Sequence, residues 1–140
     1  KVYMARYAGT LGFKDDGRYH REFTLPFKVS KSYGIASTQS LLEGSGTAVN
    51  GGNDVCPVIV EIVGPVTNPS VTINGKVMTY TGEVTASDLL IIDTEKLTAT
   101  FNGANALVNY NGVFPKLAVG DNTVTVSGGT VKVIWLNRWI

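Results

Sequence analysis

Cysteine and histidine occur once each, as Cys56 and His20, in a chain of 140 residues. One thiol leaves no internal disulfide framework, and a single His and a single Cys far apart in sequence cannot fill a zinc shell. Charge is scarce as well: Asp, Glu, Lys and Arg make up 16% of the chain, with 12 basic residues against 11 acidic ones and a net charge of +1. That balance creates no field able to gather nucleic acid or another polyanion, so the expected partners are proteins or neutral sugars. A surface so poor in charge also points to area hidden in an assembly. No apolar run approaches the roughly 18 residues needed to cross a membrane, and no charged segment followed by an apolar one opens the chain. Neither a membrane partner nor a signal peptide is therefore expected. The first residue is Lys1 rather than Met, which suggests a piece of a longer protein.

What is present favours strands. Hydrophobic residues reach 44% and glycine numbers 16, a composition suited to short strands joined by tight turns. From Arg18 the chain alternates, with Tyr19, Arg21, Phe23, Leu25, Phe27 and Val29 on one parity. This period of two predicts a long half-buried strand, which pairs as a hairpin with an extended segment from Lys1 to Ala8 through turn residues at Lys14-Asp15-Asp16-Gly17. The stretch from Ser30 to Asp54 is rich in Ser, Gly and Asn and carries at most weak strands, around Gln39 to Leu42 and Thr47 to Val49. It reads as the mobile connection. After it come strands at Val58 to Val63, Ser70 to Ile73, Lys76 to Thr81, Asp88 to Ile92, Thr98 to Phe101, Thr123 to Val126 and Val131 to Leu136. Asn74-Gly75, Asp93-Thr94-Glu95-Lys96 and Gly128-Gly129 supply turns between them. Gly103 to Tyr110 lacks the alternation and fits one helical turn or a loop. The pattern as a whole predicts an all-β, antiparallel sandwich preceded by a long β-hairpin.

Catalytic chemistry finds no footing. His20 is the one histidine available as a base, and Gly44-Ser45-Gly46 lacks the spacing of a nucleophile elbow. Position 49 is Val where a dinucleotide loop needs Gly, and no phosphate-binding loop occurs. Asp15-Asp16-Gly17 lacks the alternating oxygen ligands of a calcium loop. Glu83, Asp88, Asp93 and Glu95 are candidate carboxylates for glycoside hydrolysis, yet Asp93 and Glu95 are better explained as turn residues. No catalytic residue, metal site or cofactor is assigned. Aromatic side chains remain as platforms for a sugar ring: Tyr80, Tyr110, Trp135 and Trp139. Trp135 shares its parity with Val131 and Val133 and so belongs to the core, and Trp139 is expected to anchor the terminus or an interface. Tyr110 sits among Asn109, Asn111 and Gly112 and is the aromatic best placed for exposure. Cys56, in an apolar run, reads as a buried thiol.

Four segments taken in order carry a family resemblance: PVIVEIVGPVTNPSVTING (Pro57 to Gly75), LLIIDTEKLTATFNGANAL (Leu89 to Leu107), FPKLAVGDNTVTVSGG (Phe114 to Gly129) and VKVIWLNRWI (Val131 to Ile140). Together they resemble the C-terminal, galectin-like domain of the distal tail proteins (Dit) of siphophages. RYHREFTLPFKVSKSYG (Arg18 to Gly34) is similar to the strand and crossover that leave the N-terminal belt domain in that family, with Ser32-Tyr33 where a Pro-Tyr is common.

The resemblance implies a galectin-like, jelly-roll-like sandwich over residues 55–140, a flexible connection over 35–54, and the end of a belt-like domain over 1–34. It implies a virion structural protein without enzymatic activity, made in the bacterial host cytoplasm and located at the tail tip. There it would link the tail tube to the lysin or host-recognition apparatus. Its implied partners are further copies in a hexameric ring, the tail tube, a tail-associated lysin and receptor-binding proteins. The isolated chain would associate weakly. The alternative is a lectin-like module that binds host-wall polysaccharide, and Tyr110, Arg138 and Trp139 are the candidate ligand or interface contacts under either reading.

Overall fold

Alternation of apolar and polar residues builds the chain into strands from its first described segment to its last. The computed structural model describes residues 5–9, 12–15, 21–29 and 34–140. Tyr19, His20, the Asp16-Gly17 part of the expected turn and Ser32-Tyr33 lie outside them.

The opening hairpin consists of β1 (Ala5–Tyr7), β2 (Gly12–Asp15), β3 (Arg21–Thr24) and β4 (Phe27–Val29). β1 pairs with β4 and β2 with β3, so two short ladders run in line along one hairpin. Between them Pro26 cannot donate, but its carbonyl accepts from the Ala8 N–H at 3.0 Å. The expected half-burial fails for the described side chains on this arm: Leu25 is 43% and Phe27 61% exposed. Among the described residues β1 pairs only with β4 and β2 only with β3, so no further strand extends either ladder.

Beyond the hairpin come β5 (Gly34–Ile35), β6 (Ser40–Glu43), β7 (Gly46–Asn50), β8 (Cys56–Val63), β9 (Val66–Thr67), β10 (Ser70–Ile73), β11 (Lys76–Tyr80) and β12 (Glu83–Val84). Then follow β13 (Leu89–Asp93), β14 (Thr98–Phe101), β15 (Ala104–Asn105) and a 3₁₀ turn at Leu107–Asn109. The chain ends with β16 (Tyr110–Gly112), β17 (Lys116–Leu117), β18 (Gly120–Val126), β19 (Thr130–Trp135) and β20 (Arg138–Trp139).

Two antiparallel sheets form the sandwich. One runs β16-β11-β10-β18-β7, and the other runs β15-β14-β13-β8-β19-β6 with β17 paired to the start of β8. Register explains the core. Ile62 lies opposite Leu90 on one side and Val131 on the other, and Val60 lies between Ile92 and Val133 in the same way. These six side chains share one face because residues two apart in a strand do. They are buried in one cluster with Val71, Ile73, Met78 and Val124 of the facing sheet.

Each side of the sandwich is closed by chain that crosses from one sheet to the other. β6 passes to β7 through Gly44-Ser45, and β15 passes to β16 through the 3₁₀ turn. The weak strands expected around Gln39 to Leu42 and Thr47 to Val49 are present as β6 and β7, and each forms an edge strand of one sheet. Pairing overrides the poor strand propensity of Gly, Ser and Asn here: β7 joins β18 along five consecutive residues and buries Ala48 and Asn50.

Candidate functional site

The three candidate contact residues fall in two places. Arg138 and Trp139 form β20, which pairs with β5, so the chain enters the sandwich and ends beside itself. The last four residues act as a clasp. The Asn137 carbonyl accepts from the Ala36 N–H, and the Arg138 carbonyl accepts from the N–H groups of Asn53 and Asp54. Asn137 Oδ1 accepts from the Gly51 N–H and from the Trp135 indole N–H, both at 3.2 Å. Asn53 closes a reciprocal pair with the terminal residue, accepting the Ile140 N–H on Oδ1 at 2.9 Å and donating from Nδ2 to the Ile140 carbonyl at 3.1 Å.

Arg138 extends from this clasp to Glu95 Oε1 at 2.7 Å, with its own side chain only 12% exposed. Glu95 stands in the β13–β14 turn, where Asp93 Oδ1 accepts the Glu95 and Lys96 N–H groups at 3.0 Å each. Burial works to raise the Asp93 pKa, but the hydrogen bonds from Lys96 and Glu95 and the nearby Lys96 ammonium hold it below the usual carboxylate value. Arg138, Glu95, Asp93, Lys96 and Gln39 border a cleft of about 170 Å³ whose other walls are apolar, Ile35 and Ile134 among them. Opposite charges on its rim are paired with each other, which leaves no unmatched charge to hold an ionic ligand.

Tyr110 lies elsewhere, in edge strand β16. Its ring stacks on Phe114 with centroids 4.5 Å apart, and its hydroxyl donates to the Val113 carbonyl. Burial pushes the phenol up to about 12. This residue is therefore half buried with its polar atom engaged, where an exposed loop aromatic was expected. Tyr110 and Trp139 do not line the cleft that Arg138 lines, so the three candidates do not converge on one pocket.

The remaining sandwich aromatics are spent on packing. Trp135 and Tyr80 are each 6% exposed, and Tyr80 stacks on Phe101 at 5.8 Å. The large apolar side chains that the sandwich exposes are mainly aliphatic: Val108 in the 3₁₀ turn is 93% exposed, with Leu41, Leu97, Val113 and Val119 about half exposed. Exposed aromatics occur on the hairpin, where Tyr7 meets Phe27 edge-on at 6.5 Å. Cys56 is fully buried and its thiol is raised to about 11 by burial, so it stays protonated at neutral pH and is no nucleophile. Among the described residues no three His, Cys, Asp or Glu side chains gather in one place.

The polar residues that organise this end of the fold were not singled out in the sequence. Asn53, Asn122 and Asn137 each tie together segments distant in the chain, while Asn50 closes the local loop to Asp54, and the turn-prone composition around them is the only trace such residues leave.

A family model described as the siphovirus-type tail component, C-terminal domain, matches residues 50–139. No curated protein matches the chain. Among solved structures, the crystal structure of SPP1 Dit, described as a paradigm of the hub adsorption apparatus in Gram-positive infecting phages, superposes with a TM-score of 0.81 at 12% identity. That match covers 99% of this chain and 60% of the other, so the chain spans less than two-thirds of that structure's length.

Proposed function

The chain belongs to the siphovirus-type tail components, whose C-terminal domain its residues 50–139 match, and from that premise we propose that it serves as a structural adaptor in the hub of a phage tail tip. The match over 50–139 is the observation that carries this reading. The likeness to SPP1 Dit supports it at the level of fold. In this reading residues 55–140 are the outward domain, residues 1–34 are the end of a belt-like domain, and residues 35–54 join the two. The hairpin aromatics Tyr7 and Phe27 are then ring contacts, covered by neighbouring copies or by the tail tube. A lysin or receptor-binding protein docks on the aliphatic outer surface of the sandwich.

A load-bearing adaptor needs packed sheets and interfaces low in charge, and it needs no activated nucleophile. Two paired sheets around one core and a charged content of 16% support this reading. The lectin alternative is not favoured: a sugar site presents aromatics beside Asn, Asp or Arg in one concave face, whereas Trp135 and Tyr80 are buried and Tyr110 is stacked on Phe114.

Immunogold electron microscopy of intact virions with antibody raised against the sandwich tests the proposal. Gold is expected at the tail tip. Labelling confined to the head or along the tail shaft would overturn it.

A further inference from the structure

Four Asn-Gly pairs occur in the chain, at Asn50, Asn74, Asn102 and Asn111. An Asn-Gly pair can react with itself when the side-chain amide is loose and the following N–H can approach it, because glycine presents no side chain to block the approach. Three of the four are held at both ends of the amide. Asn50, 1% exposed, donates to the Asp54 carbonyl at 2.8 Å and accepts from the Gly52 N–H at 3.0 Å. The attacking N–H in that pair, on Gly51, is itself engaged with Asn137 Oδ1. Asn74 donates to Asn122 Oδ1 at 2.7 Å and accepts from the Thr123 N–H at 2.9 Å. Asn102 donates to Asp88 Oδ1 at 2.8 Å and accepts from the Leu89 N–H at 2.9 Å.

Asn111 differs on every count. It is exposed, and no described residue holds its side-chain amide. The edge geometry also turns the reacting N–H outward. The Thr81 N–H bonds the Asn109 carbonyl and the Val113 N–H bonds the Val77 carbonyl, while Asn111 lies opposite Thr79. Alternation along an antiparallel ladder therefore directs the main-chain groups of Asn111 toward β11 and those of Gly112 away from it. Among the described residues β16 is the outermost strand of its sheet, so the Gly112 N–H faces no further strand of them.

We propose that Asn111-Gly112 is a self-modification site, at which the chain undergoes intramolecular deamidation ahead of its other Asn-Gly pairs. The Gly112 nitrogen attacks Asn111 Cγ, forming a C–N bond and a succinimide ring. The bond from Cγ to the side-chain nitrogen breaks, and that nitrogen leaves as ammonia with the proton that Gly112 gave up. Water then opens the ring at either carbonyl and yields aspartate or isoaspartate, with no oxidant, reductant or cofactor involved. Either product places a negative charge on the edge strand next to the Tyr110–Phe114 stack. The isoaspartate form also lengthens the main chain by one methylene between Cα of residue 111 and the Gly112 nitrogen, which puts the ladder beyond that point out of register with β11.

Incubating the folded chain at mildly alkaline pH and mapping its peptides by mass spectrometry, with isoaspartate resolved from aspartate, tests the assignment. Asn111 is expected to convert several times faster than the other three, while in denaturant all four convert at comparable rates. Equal rates in the folded chain, or a lead by Asn50, Asn74 or Asn102, would overturn it, as would a silent Asn111 under conditions in which the denatured chain reacts. Asp88→Ala removes the acceptor that holds Asn102 and is expected to accelerate conversion at Asn102 without changing Asn111. An unchanged Asn102 rate in that variant would refute the shielding argument on which the ranking rests.

Discussion

Arg138 joins Glu95 across 43 residues of sequence, with Nη2 at 2.7 Å from Oε1, while its own carbonyl receives the N–H groups of Asn53 and Asp54. One residue thus ties the end of the chain to the β13–β14 turn by its side chain and to the loop after β7 by its backbone. The two attachments differ in worth. Glu95 is half exposed, so the ion pair contributes at most about 1 kcal/mol.

Removing the clasp is therefore expected to matter more than removing the charge. Arg138→Ala should lower the unfolding free energy by about 1 kcal/mol or less from the lost ion pair, plus a small packing loss from its largely buried stem. Deleting residues 137–140 takes away the partners of Ala36, Gly51, Asn53 and Asp54 together. Hydrogen exchange by mass spectrometry should then show fast exchange at 34–36 and 51–54 in the truncated chain, with the core strands β8 and β19 unchanged. Continued protection of those amides would show that β5 is held by something other than β20.

Asn122 should be among the most sensitive polar positions. It is fully buried, accepts from Asn74 Nδ2 and the Ala118 N–H, and donates toward the carbonyls of Ala48, Ala118 and Gly120. Asn122→Ala leaves several of these without partners, at about 1–3 kcal/mol for each group that stays buried. The expected loss is about 3 kcal/mol in a urea titration, with the slope of the transition unchanged. A loss below 1 kcal/mol would mean that water replaces the side chain.

The contrast between Asn122 and its neighbours shows how much the sequence discloses. Strands β10 and β14 lie where alternation places them, and Asn74-Gly75 makes the turn expected of it, with φ of 50° and 77°. Trp135 follows its parity into the core. These features are local, and local pattern is what a sequence displays. The two-residue strands β17 and β20 exist only because β8 and β5 lie beside them, and nothing in Lys116-Leu117 or Arg138-Trp139 announces a partner. Residues 40–50 look loose for the same reason: their order comes from β19 and β18, 70 or more residues away. Tyr110 was legible as an unusual aromatic, but its polar neighbours concealed the stack on Phe114.

Asp93 supplies an acid-sensitive element. Its carboxyl titrates below the ordinary value of 3.8 in the folded chain, so the folded state favours the charged form. The stabilisation is present above the unfolded value and is lost as pH falls through the folded one. Stability should therefore decline below about pH 4, and Asp93→Asn, which keeps an oxygen for the Glu95 and Lys96 N–H groups, should flatten that decline. Identical acid profiles for the two proteins, followed by thermal unfolding, would assign the acid sensitivity elsewhere.

Tyr110, together with the buried Cys56 thiol, contributes on the alkaline side with the opposite sign. Burial raises its phenol from 10.0 to about 12, so between those values the unfolded chain loses a proton that the folded chain retains. The unfolded state then binds fewer protons, and stability falls as pH rises. Its contribution is complete below pH 10 and disappears as pH passes through about 12. Tyr110→Phe keeps the stack on Phe114 and removes the titrating group. The variant should lose a little stability at neutral pH, where the bond to the Val113 carbonyl is gone, and should show a shallower decline above pH 10. Unfolding midpoints across that interval, with phenolate absorbance followed in parallel, decide the matter: equal slopes in the two proteins would show that the Tyr110 hydroxyl is not held away from solvent.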